Sequence, residues 1–179
     1  EERLRHQQSA TLMLVKDRTI YEGSLAETAK QVTATATQAL AVERASVWIL
    51  ETTSGNLYCL DSYQQSVSRH TSEAKLSQAQ LPTYFEALER ENVIAAAHAQ
   101  QDAIFQELVT NVLKPQCVTS RLDAPIRSKS GLAGVVSIEH VGPPREWALD
   151  EQQFAQALAN FMVLVLEAAH RRESEEALA

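Results

Sequence analysis

The sequence of 179 residues contains few cysteines, few glycines and no long apolar run, and each shortage argues against a class of protein. Its two cysteines, Cys59 and Cys117, stand alone on separate predicted elements, so they form no zinc-binding pattern and fit a reducing cytoplasm. The five glycines form no Gly-rich phosphate loop. No apolar stretch approaches the ~20 residues that a membrane-spanning helix needs. We therefore expect a cytoplasmic protein with no membrane span in this sequence.

The charge and composition are those of an ordinary globular domain. A net charge of −7 argues against nucleic acid as a partner. Hydrophobic residues make up 45% and charged residues 22% of the chain, which is enough for one domain with a substantial core. The sequence begins Glu1-Glu2-Arg3, without Met or a signal-peptide pattern, so we expect it to be a piece of a longer protein.

Residues 120–147 predict a β-hairpin with a sharp exit. Apolar and polar side chains alternate along residues 121–127, which is the period of a strand with one apolar face. Residues 128–131 are small and polar and end in a glycine, so the chain can reverse there. The Val-rich run 132–140 predicts the second strand. Residues 142–144, Gly-Pro-Pro, end it because proline donates no ladder hydrogen bond.

Several runs in and around this hairpin carry a family resemblance. They are Leu-Asp-Ala-Pro-Ile at 122–126, Gly-Val-Val-Ser-Ile-Glu-His at 134–140, Gly-Pro-Pro-Arg-Glu-Trp at 142–147 and Ala-Val-Glu-Arg-Ala-Ser-Val-Trp at 41–48. The first three resemble the last two strands and the exit loop of a GAF domain, and the fourth is similar to the first strand of that family. With the predicted helix 150–169, the resemblance covers about residues 24–169.

The remaining patterns complete an α+β fold. Ser24 with Glu27 forms a capping-box signature, which predicts a helix over residues 25–40. Residues 64–117 are irregular, with short helices predicted at 83–91 and 104–113. We therefore expect a GAF-like antiparallel sheet with the N- and C-terminal helices on one face. The irregular, partly helical segment would form the lid of a ligand pocket on the other face.

The predicted domain is flanked by linkers. We assign residues 1–23 to an N-terminal linker helix, 24–169 to the GAF domain and 170–179 to the start of a C-terminal linker helix. The charged run 171–178 resembles the linker that often precedes a PAS domain in signalling proteins. The resemblance implies flanking PAS, kinase or cyclase-type domains in the full-length chain.

Apolar residues surround the whole circumference of the predicted closing helix at 161–166. A sheet covers only about half of a helix, so the rest needs a second partner. We predict a homodimer through the terminal helices, since a two-fold interface is the commonest oligomeric arrangement. The alternative is that the helices predicted at 4–20 and 25–40 of the same chain cover this surface.

Four side chains form the candidate ligand-binding site. If the apolar residues of 121–127 face the terminal helices, Arg121 and Asp123 must point toward the lid, where the GAF family keeps its pocket. The resemblance to the chromophore-binding branch of the family also places Trp48 and His140 there. These groups could hold a small polar ligand against the Trp48 ring. The alternative is a structural pair, in which Asp123 is neutralised by Arg121 or His140. The sequence identifies no cofactor.

The sequence gives little support for a metal or for catalysis. His70, His98 and His140 have no close ligand spacing. Cys117 is followed by Val118 rather than the histidine common at bilin attachment sites, and the cyclic-nucleotide signature of the family is missing. We therefore expect no metal and no catalytic residue, and a small-molecule-sensing or regulatory GAF domain of a histidine kinase or diguanylate cyclase type protein. The alternatives are a free methionine sulfoxide reductase, for which the cysteine set is incomplete, and a GAF dimerisation module without a ligand.

Overall fold

The structure, a computed structural model, describes residues 2–5, 7, 9, 10 and 23–178. Residues 2–5, 7, 9 and 10 are helical, within the linker helix predicted at 1–23. The part of the predicted linker helix at 11–22 lies outside the described residues. No helix among the described residues is long and apolar enough to span a membrane.

Between residues 23 and 178, the structure contains three α-helices and seven strands. The helices are α1 (Leu25–Leu40), α2 (Pro82–Arg90) and α3 (Leu149–Leu178). The strands are β1 (Arg44–Leu50), β2 (Leu57–Gln64), β3 (Arg69–Thr71), β4 (Lys75–Leu76), β5 (Ile94–Ala96), β6 (Val118–Ser128) and β7 (Gly131–Val141). Short 3₁₀ turns lie at Gln65–Val67, Ala99–Gln101 and Ala103–Leu108, and a π-helical turn lies at Val109–Leu113.

The strands form one antiparallel sheet. Their order is β3-β2-β1-β7-β6-β5, and β4 pairs with β2 beside β3. The predicted β6–β7 hairpin therefore lies near the middle of the sheet, and Gly131 at its turn has a φ of 114° that favours glycine. This arrangement confirms the predicted α+β fold.

The terminal helices α1 and α3 pack on one face of the sheet, as predicted. Leu122, Ala124 and Ile126 of β6 are fully buried in the same apolar cluster as Val32 of α1 and Leu158 of α3. Burying a large aliphatic side chain stabilises a fold by roughly 1.5–3 kcal/mol, and this face buries many of them. We call it the helix face.

Helix α1 begins where its capping box predicts. The Ser24 side chain accepts a hydrogen bond of 3.1 Å from the backbone N–H of Glu27. This bond satisfies one of the N–H groups that the first turn of a helix leaves without a partner.

The other face of the sheet is covered by α2 and the 3₁₀ and π turns, and we call it the lid face. The helix predicted over 104–113 is present, but it consists of a 3₁₀ stretch followed by a π turn rather than regular α-helix. Its most deeply buried side chains, Phe105, Leu108 and Leu113, are spaced by three and then five residues. The 3₁₀ and π repeats match those spacings and keep all three side chains against the second core cluster.

The apolar stretch of α3 is covered mostly by its own chain. Phe161, Met162 and Val165 are buried in the helix-face core. Val163 and Leu166 are partly buried against the same core, whereas Leu164 remains 51% exposed. The intramolecular alternative therefore accounts for most of the surface that we expected a second chain to cover.

Candidate functional site

A cavity of about 480 Å³ lies between the lid face of the sheet and the segment that covers it. Its floor is made by β1, β2, β6 and β7. Its walls come from the β3–β4 region, the start of α2 and the 3₁₀ and π turns. The side chains that line it are Arg44, Ser46, Trp48, Cys59, Ser62, Gln64, Thr71, Ser72, Ala74, Lys75, Leu76, Ser77, Gln80, Leu81, Glu107, Leu108, Asn111, Val112, Gln116, Arg121, Ser137 and Glu139.

The strand register arranges the floor in three parallel rows that cross the sheet. In an antiparallel sheet, directly paired residues point to the same face, so each row follows from the pairing. Each row is named after most of its members. The apolar row consists of Cys59, Trp48 and Val135. The hydroxyl row consists of Ser62, Ser46 and Ser137 and ends at Asp123, and the charged row consists of Arg44, Glu139 and Arg121 and ends at Gln64. The floor therefore changes from apolar at one end to charged at the other.

Two local features hold the Trp48 end of the floor. A bulge in the β1–β2 pairing between Val47 and Trp48 brings Cys59 opposite Trp48. Gly134 of β7 lies so close to β1 that a Cβ atom there would sit 2.0 Å from the Trp48 carbonyl oxygen. Only glycine allows this approach of the two strands.

Arg121 is the centre of a buried cluster at the charged end. Its Nε lies 3.0 and 3.1 Å from the two carboxylate oxygens of Asp123. Its Nη1 donates to Glu139 at 3.3 Å, and its Nη2 lies 3.2 Å from Ser137 Oγ and 3.3 Å from Tyr84 Oη. Tyr84 in turn donates its hydroxyl proton to Asp123. Every polar group in this cluster thus has a partner, as burial requires.

Burial and charge fix the protonation states in this cluster. Burial, and then the negative charge of Asp123, raise the pKa of Tyr84, so its hydroxyl remains a donor. Burial opposes the positive charge of Arg121, but the carboxylates of Asp123 and Glu139 outweigh it and raise the pKa of the guanidinium. The guanidinium carbon also lies 5.7 Å from the centre of the Tyr84 ring and 5.4 Å from that of Phe105.

Arg44 connects this cluster to the rim of the cavity. Its Nη1 lies 3.4 Å from Glu139 and donates to the Gln116 amide oxygen at 2.8 Å. Glu139 is therefore shared by two guanidinium groups, one from β1 and one from β6. Gln116 precedes β6, so this hydrogen bond joins the sheet to the segment that covers it.

Three of the four predicted site residues lie on the predicted face. Trp48 and Arg121 line the cavity. Asp123 is fully buried beside Arg121 and does not reach the cavity, as in the structural alternative that the sequence allowed. The role of these residues in ligand binding stays a prediction.

The placement of His140 on the lid face is wrong. Strand β7 alternates regularly from Gly134 onward, so His140 shares a face with Val136 and Ile138, which belong to the helix-face core. Its Nε2 lies 2.9 Å from the carbonyl oxygen of Pro143, at the exit of the strand. The residue of β7 that reaches Arg121 is Glu139, one position earlier.

Sequence reasoning missed Tyr84, Glu139 and Arg44 as members of the site. A tyrosine on the apolar side of a short helix was a usable signal, because a buried hydroxyl needs a partner. Glu139 follows from the alternation of β7 once Ser137 is placed opposite Asp123. Arg44 follows from the alternation of β1, because it lies four residues before Trp48 and so points to the same face. Its partners Glu139 and Gln116 come from other elements, which no local pattern brings together.

The two cysteine side chains lie in different surroundings. Cys59 is buried, and burial followed by the nearby Asp61 raises the pKa of its thiol to about 12. A reactive cysteine needs the opposite shift. Cys117 is exposed on the loop before β6. Among the described residues, no group of three or more His, Cys, Asp or Glu side chains could hold a metal ion.

Comparisons with known proteins agree on one family. The GAF domain family model matches residues 24–166. The chain is similar to the GAF domain of a Coxiella burnetii phosphoenolpyruvate-protein phosphotransferase, at 18% identity and a TM-score of 0.73, over 96% of each chain. It is also similar to the GAF domain of the corresponding Acinetobacter protein, at 15% identity and a TM-score of 0.72, over 94% of this chain and 97% of that one.

A photoreceptor domain shares the same fold. The blue-light absorbing form of the Thermosynechococcus elongatus PixJ GAF domain is 18% identical, with a TM-score of 0.71, over 85% of this chain and 90% of that one. No curated protein matches the chain. At these identities the structural similarities establish the fold alone.

Proposed function

The chain belongs to the GAF domain family, and from this premise we propose that it is a sensory or regulatory module that binds a small molecule in the cavity of the lid face. The cavity itself carries this proposal. It has about 480 Å³ of space, within the range of ~300–1,000 Å³ that is usual for ligand pockets. Trp48, Arg44 and Arg121 supply an aromatic wall and fixed polar groups. The domain would span residues 24–169, between linkers at 1–23 and 170–179.

A signal would pass from the cavity to the terminal helices through the strands that contact both. A ligand on the floor contacts β1, β6 and β7, and the opposite face of those strands packs against α1 and α3. The ligand shifts the helices only if it binds one of their arrangements more tightly than another. The hydrogen bond from Arg44 to Gln116 is the contact that a ligand at the rim would change first.

The output of the module would lie outside this domain. We propose a cytoplasmic signalling protein with flanking PAS, kinase or cyclase-type domains, in which the GAF domain itself is not an enzyme. We also propose a homodimer through the terminal helices. Leu164 supports it, because this large apolar side chain is 51% exposed beside the partly buried Val163 and Leu166.

The two alternative functions have less support. A methionine sulfoxide reductase needs a reactive thiol, but burial raises the pKa of Cys59 to about 12. A dimerisation module without a ligand would have a closed interior, whereas this interior contains a cavity lined mainly by polar side chains.

Native mass spectrometry of the purified protein tests the ligand and the dimer together. We expect a bound small molecule, and we expect its loss in Ser62→Trp, which fills the cavity from the floor. Ser130→Trp, at the exposed β6–β7 turn, is the matched control and should keep the molecule. If the wild type carries no adduct and a metabolite library gives no thermal shift, the ligand proposal fails. A dimer that Leu164→Glu does not weaken would contradict the proposed interface.

A further inference from the structure

The charges at the floor of the cavity and directly behind it already balance one another. Arg44 and Arg121 contribute two positive charges, and Asp123 and Glu139 contribute two negative charges. Arg121 lies 3.0 Å from Asp123 and 3.3 Å from Glu139, and Arg44 lies 3.4 Å from Glu139. These side chains are almost completely buried, apart from the 12% exposed Arg44. A charged ligand would have to separate such pairs or add an unbalanced charge beside them, and both are unfavourable in a buried site.

The charges at the rim are engaged as well. Lys75 is 66% exposed and pairs with Glu51 at 3.5 Å. The Glu107 carboxylate accepts hydrogen bonds of 3.1 and 2.9 Å from the backbone N–H groups of Thr83 and Tyr84, so it caps the first turn of α2. Glu107 is thus committed to α2, whereas the exposed Lys75–Glu51 pair is weak and lies at the solvent side of the cavity, away from the buried cluster.

Uncharged polar groups dominate the rest of the lining. The hydroxyl side chains are Ser46, Ser62, Thr71, Ser72, Ser77 and Ser137, and the amide side chains are Gln64, Gln80, Asn111 and Gln116. Ser46 donates to Ser62 at 2.8 Å, and Arg121 donates to Ser137 at 3.2 Å. Because a guanidinium can only donate, Ser137 accepts and keeps its hydroxyl proton for a further acceptor. Ser46 and Ser62 share one proton in their bond, so one hydroxyl proton of this pair is left over for a ligand.

The remaining wall is apolar and includes one flat ring. Trp48 lines the cavity together with Leu108 and Val112, next to the hydroxyl row of the floor. Cys59 adds no charge, because burial raises the pKa of its thiol to about 12. An indole ring packs well against a flat face of a base or a sugar.

We infer that the ligand is an uncharged molecule with a flat face and several hydroxyl or amide groups, such as a nucleoside or a neutral glycoside. The face would lie on Trp48, and the polar groups would reach Ser62 and Ser137. This inference rests on the proposed function of the cavity. It argues against nucleotides, carboxylates and other ionised ligands, for which the balanced cluster offers no counter-charge.

Isothermal titration calorimetry of matched probes tests the inference. One arm compares adenosine, guanosine, cytidine and uridine with their 5′-monophosphates. The other compares methyl β-glucoside and cellobiose with glucuronate. We expect at least one uncharged probe to bind and its charged counterpart to bind at least tenfold more weakly. The arm that gives binding identifies the source of the ligand.

Two serine variants localise the binding. Ser62→Ala removes one hydroxyl donor and should weaken the uncharged probe about tenfold, the effect of one lost hydrogen bond. Ser130→Ala, at the exposed turn, should leave the affinity unchanged. Trp48→Phe keeps a ring and should retain binding better than Trp48→Ala.

The experiments test the charge of the ligand separately from the occupancy of the cavity. If a charged probe binds as tightly as its uncharged counterpart, or if no uncharged probe binds, the inference is overturned. The same holds if mass spectrometry finds an ionised native ligand. In each case the proposed function still stands as long as a molecule occupies the cavity and Ser62→Trp expels it.

Discussion

The two faces of the β6–β7 hairpin are built from alternate residues of the same strands, yet they bury different chemistry. On the helix face, Leu122, Ala124 and Ile126 are fully buried in an apolar core. On the lid face, Arg121 and Asp123 are just as buried but are held by hydrogen bonds and ion pairs. Burial alone therefore does not distinguish a structural face from a candidate functional one.

The difference explains where the cavity lies. Apolar side chains interdigitate and leave little space, since contact with any neighbour is favourable. In the Arg121 cluster, by contrast, hydrogen bonds fix the direction of each side chain, and Arg121, Ser137 and Glu139 of this cluster line the cavity. Space remains where directional bonds, rather than close packing, set the positions of the side chains.

One buried carboxylate on the helix face departs from this pattern. Asp61 of β2 accepts from the Thr33 hydroxyl of α1 at 2.6 Å and lies 2.7 Å from Nδ1 of His70. The His70 ring in turn packs on Tyr63, with 4.5 Å between the ring centres. This small cluster attaches the edge strand β3 to the layer beneath α1, away from the cavity.

The largest expected effect is on the lid face. Asp123→Ala leaves Arg121 with one fewer counter-charge and removes the acceptor of the Tyr84 hydroxyl, so we expect a loss of about 3–5 kcal/mol in the free energy of unfolding. Urea denaturation measures it. The triple variant Tyr84→Phe, Arg121→Met and Asp123→Leu should recover much of this loss, because it removes both charges together with the hydroxyl that they hold. Equal destabilisation by the single and triple variants would show that the cluster is not the ion pair described.

The helix face should respond through packing alone. Leu158→Ala removes a fully buried side chain and should cost about 2–5 kcal/mol. Leu164→Ala, on the exposed side of the same helix, should change the stability of one chain by less than about 0.5 kcal/mol. Denaturation at a concentration where the protein is monomeric makes this comparison. Similar losses for both leucines would contradict the assigned orientation of α3.

The buried thiol of Cys59 should make the stability of the protein depend on pH in the alkaline range. The pKa of Cys59 rises from 9.0 to about 12 on folding, so the folded state holds its proton where the unfolded state has lost it. This stabilisation is complete below pH 9 and is lost as the pH rises from 9 toward 12. Above pH 9, the stability of the wild type should fall more steeply than that of Cys59→Ala, which lacks the thiol. A thiol reagent at pH 8 should label only Cys117 in the folded protein.

Local patterns were enough to predict the two-faced hairpin. Alternation along 121–127 gave the opposite directions of Leu122 and Asp123, and the capping box at Ser24 gave the start of α1. These features depend on neighbours within one element. The sequence also allowed an Asp123–Arg121 pair, which the structure contains.

The rest of the site depends on contacts between distant elements. Tyr84 reaches Asp123 only because α2 lies across β6, and no local pattern contains that crossing. The hydroxyl row requires the exact register of β2 on β1, which a bulge beside Trp48 shifts by one residue. The family resemblance predicted His140 on the lid face, whereas the alternation of side chains along β7 predicts it on the helix face. The structure agrees with the alternation.

The smallest expected effect is that of His140→Ala, and it tests the corrected placement. Its imidazole contacts the carbonyl oxygen of Pro143 at the partly exposed end of β7, away from the lining of the cavity. We expect a change of less than about 0.5 kcal/mol in stability, as is usual for surface positions, and an unchanged affinity for any ligand of the cavity. Glu139→Gln, one residue earlier, is the informative comparison because Glu139 is shared by Arg44 and Arg121. Calorimetry with a bound probe distinguishes them: a loss of affinity in His140→Ala but not in Glu139→Gln would return His140 to the site and show that the alternation fails at the end of this strand.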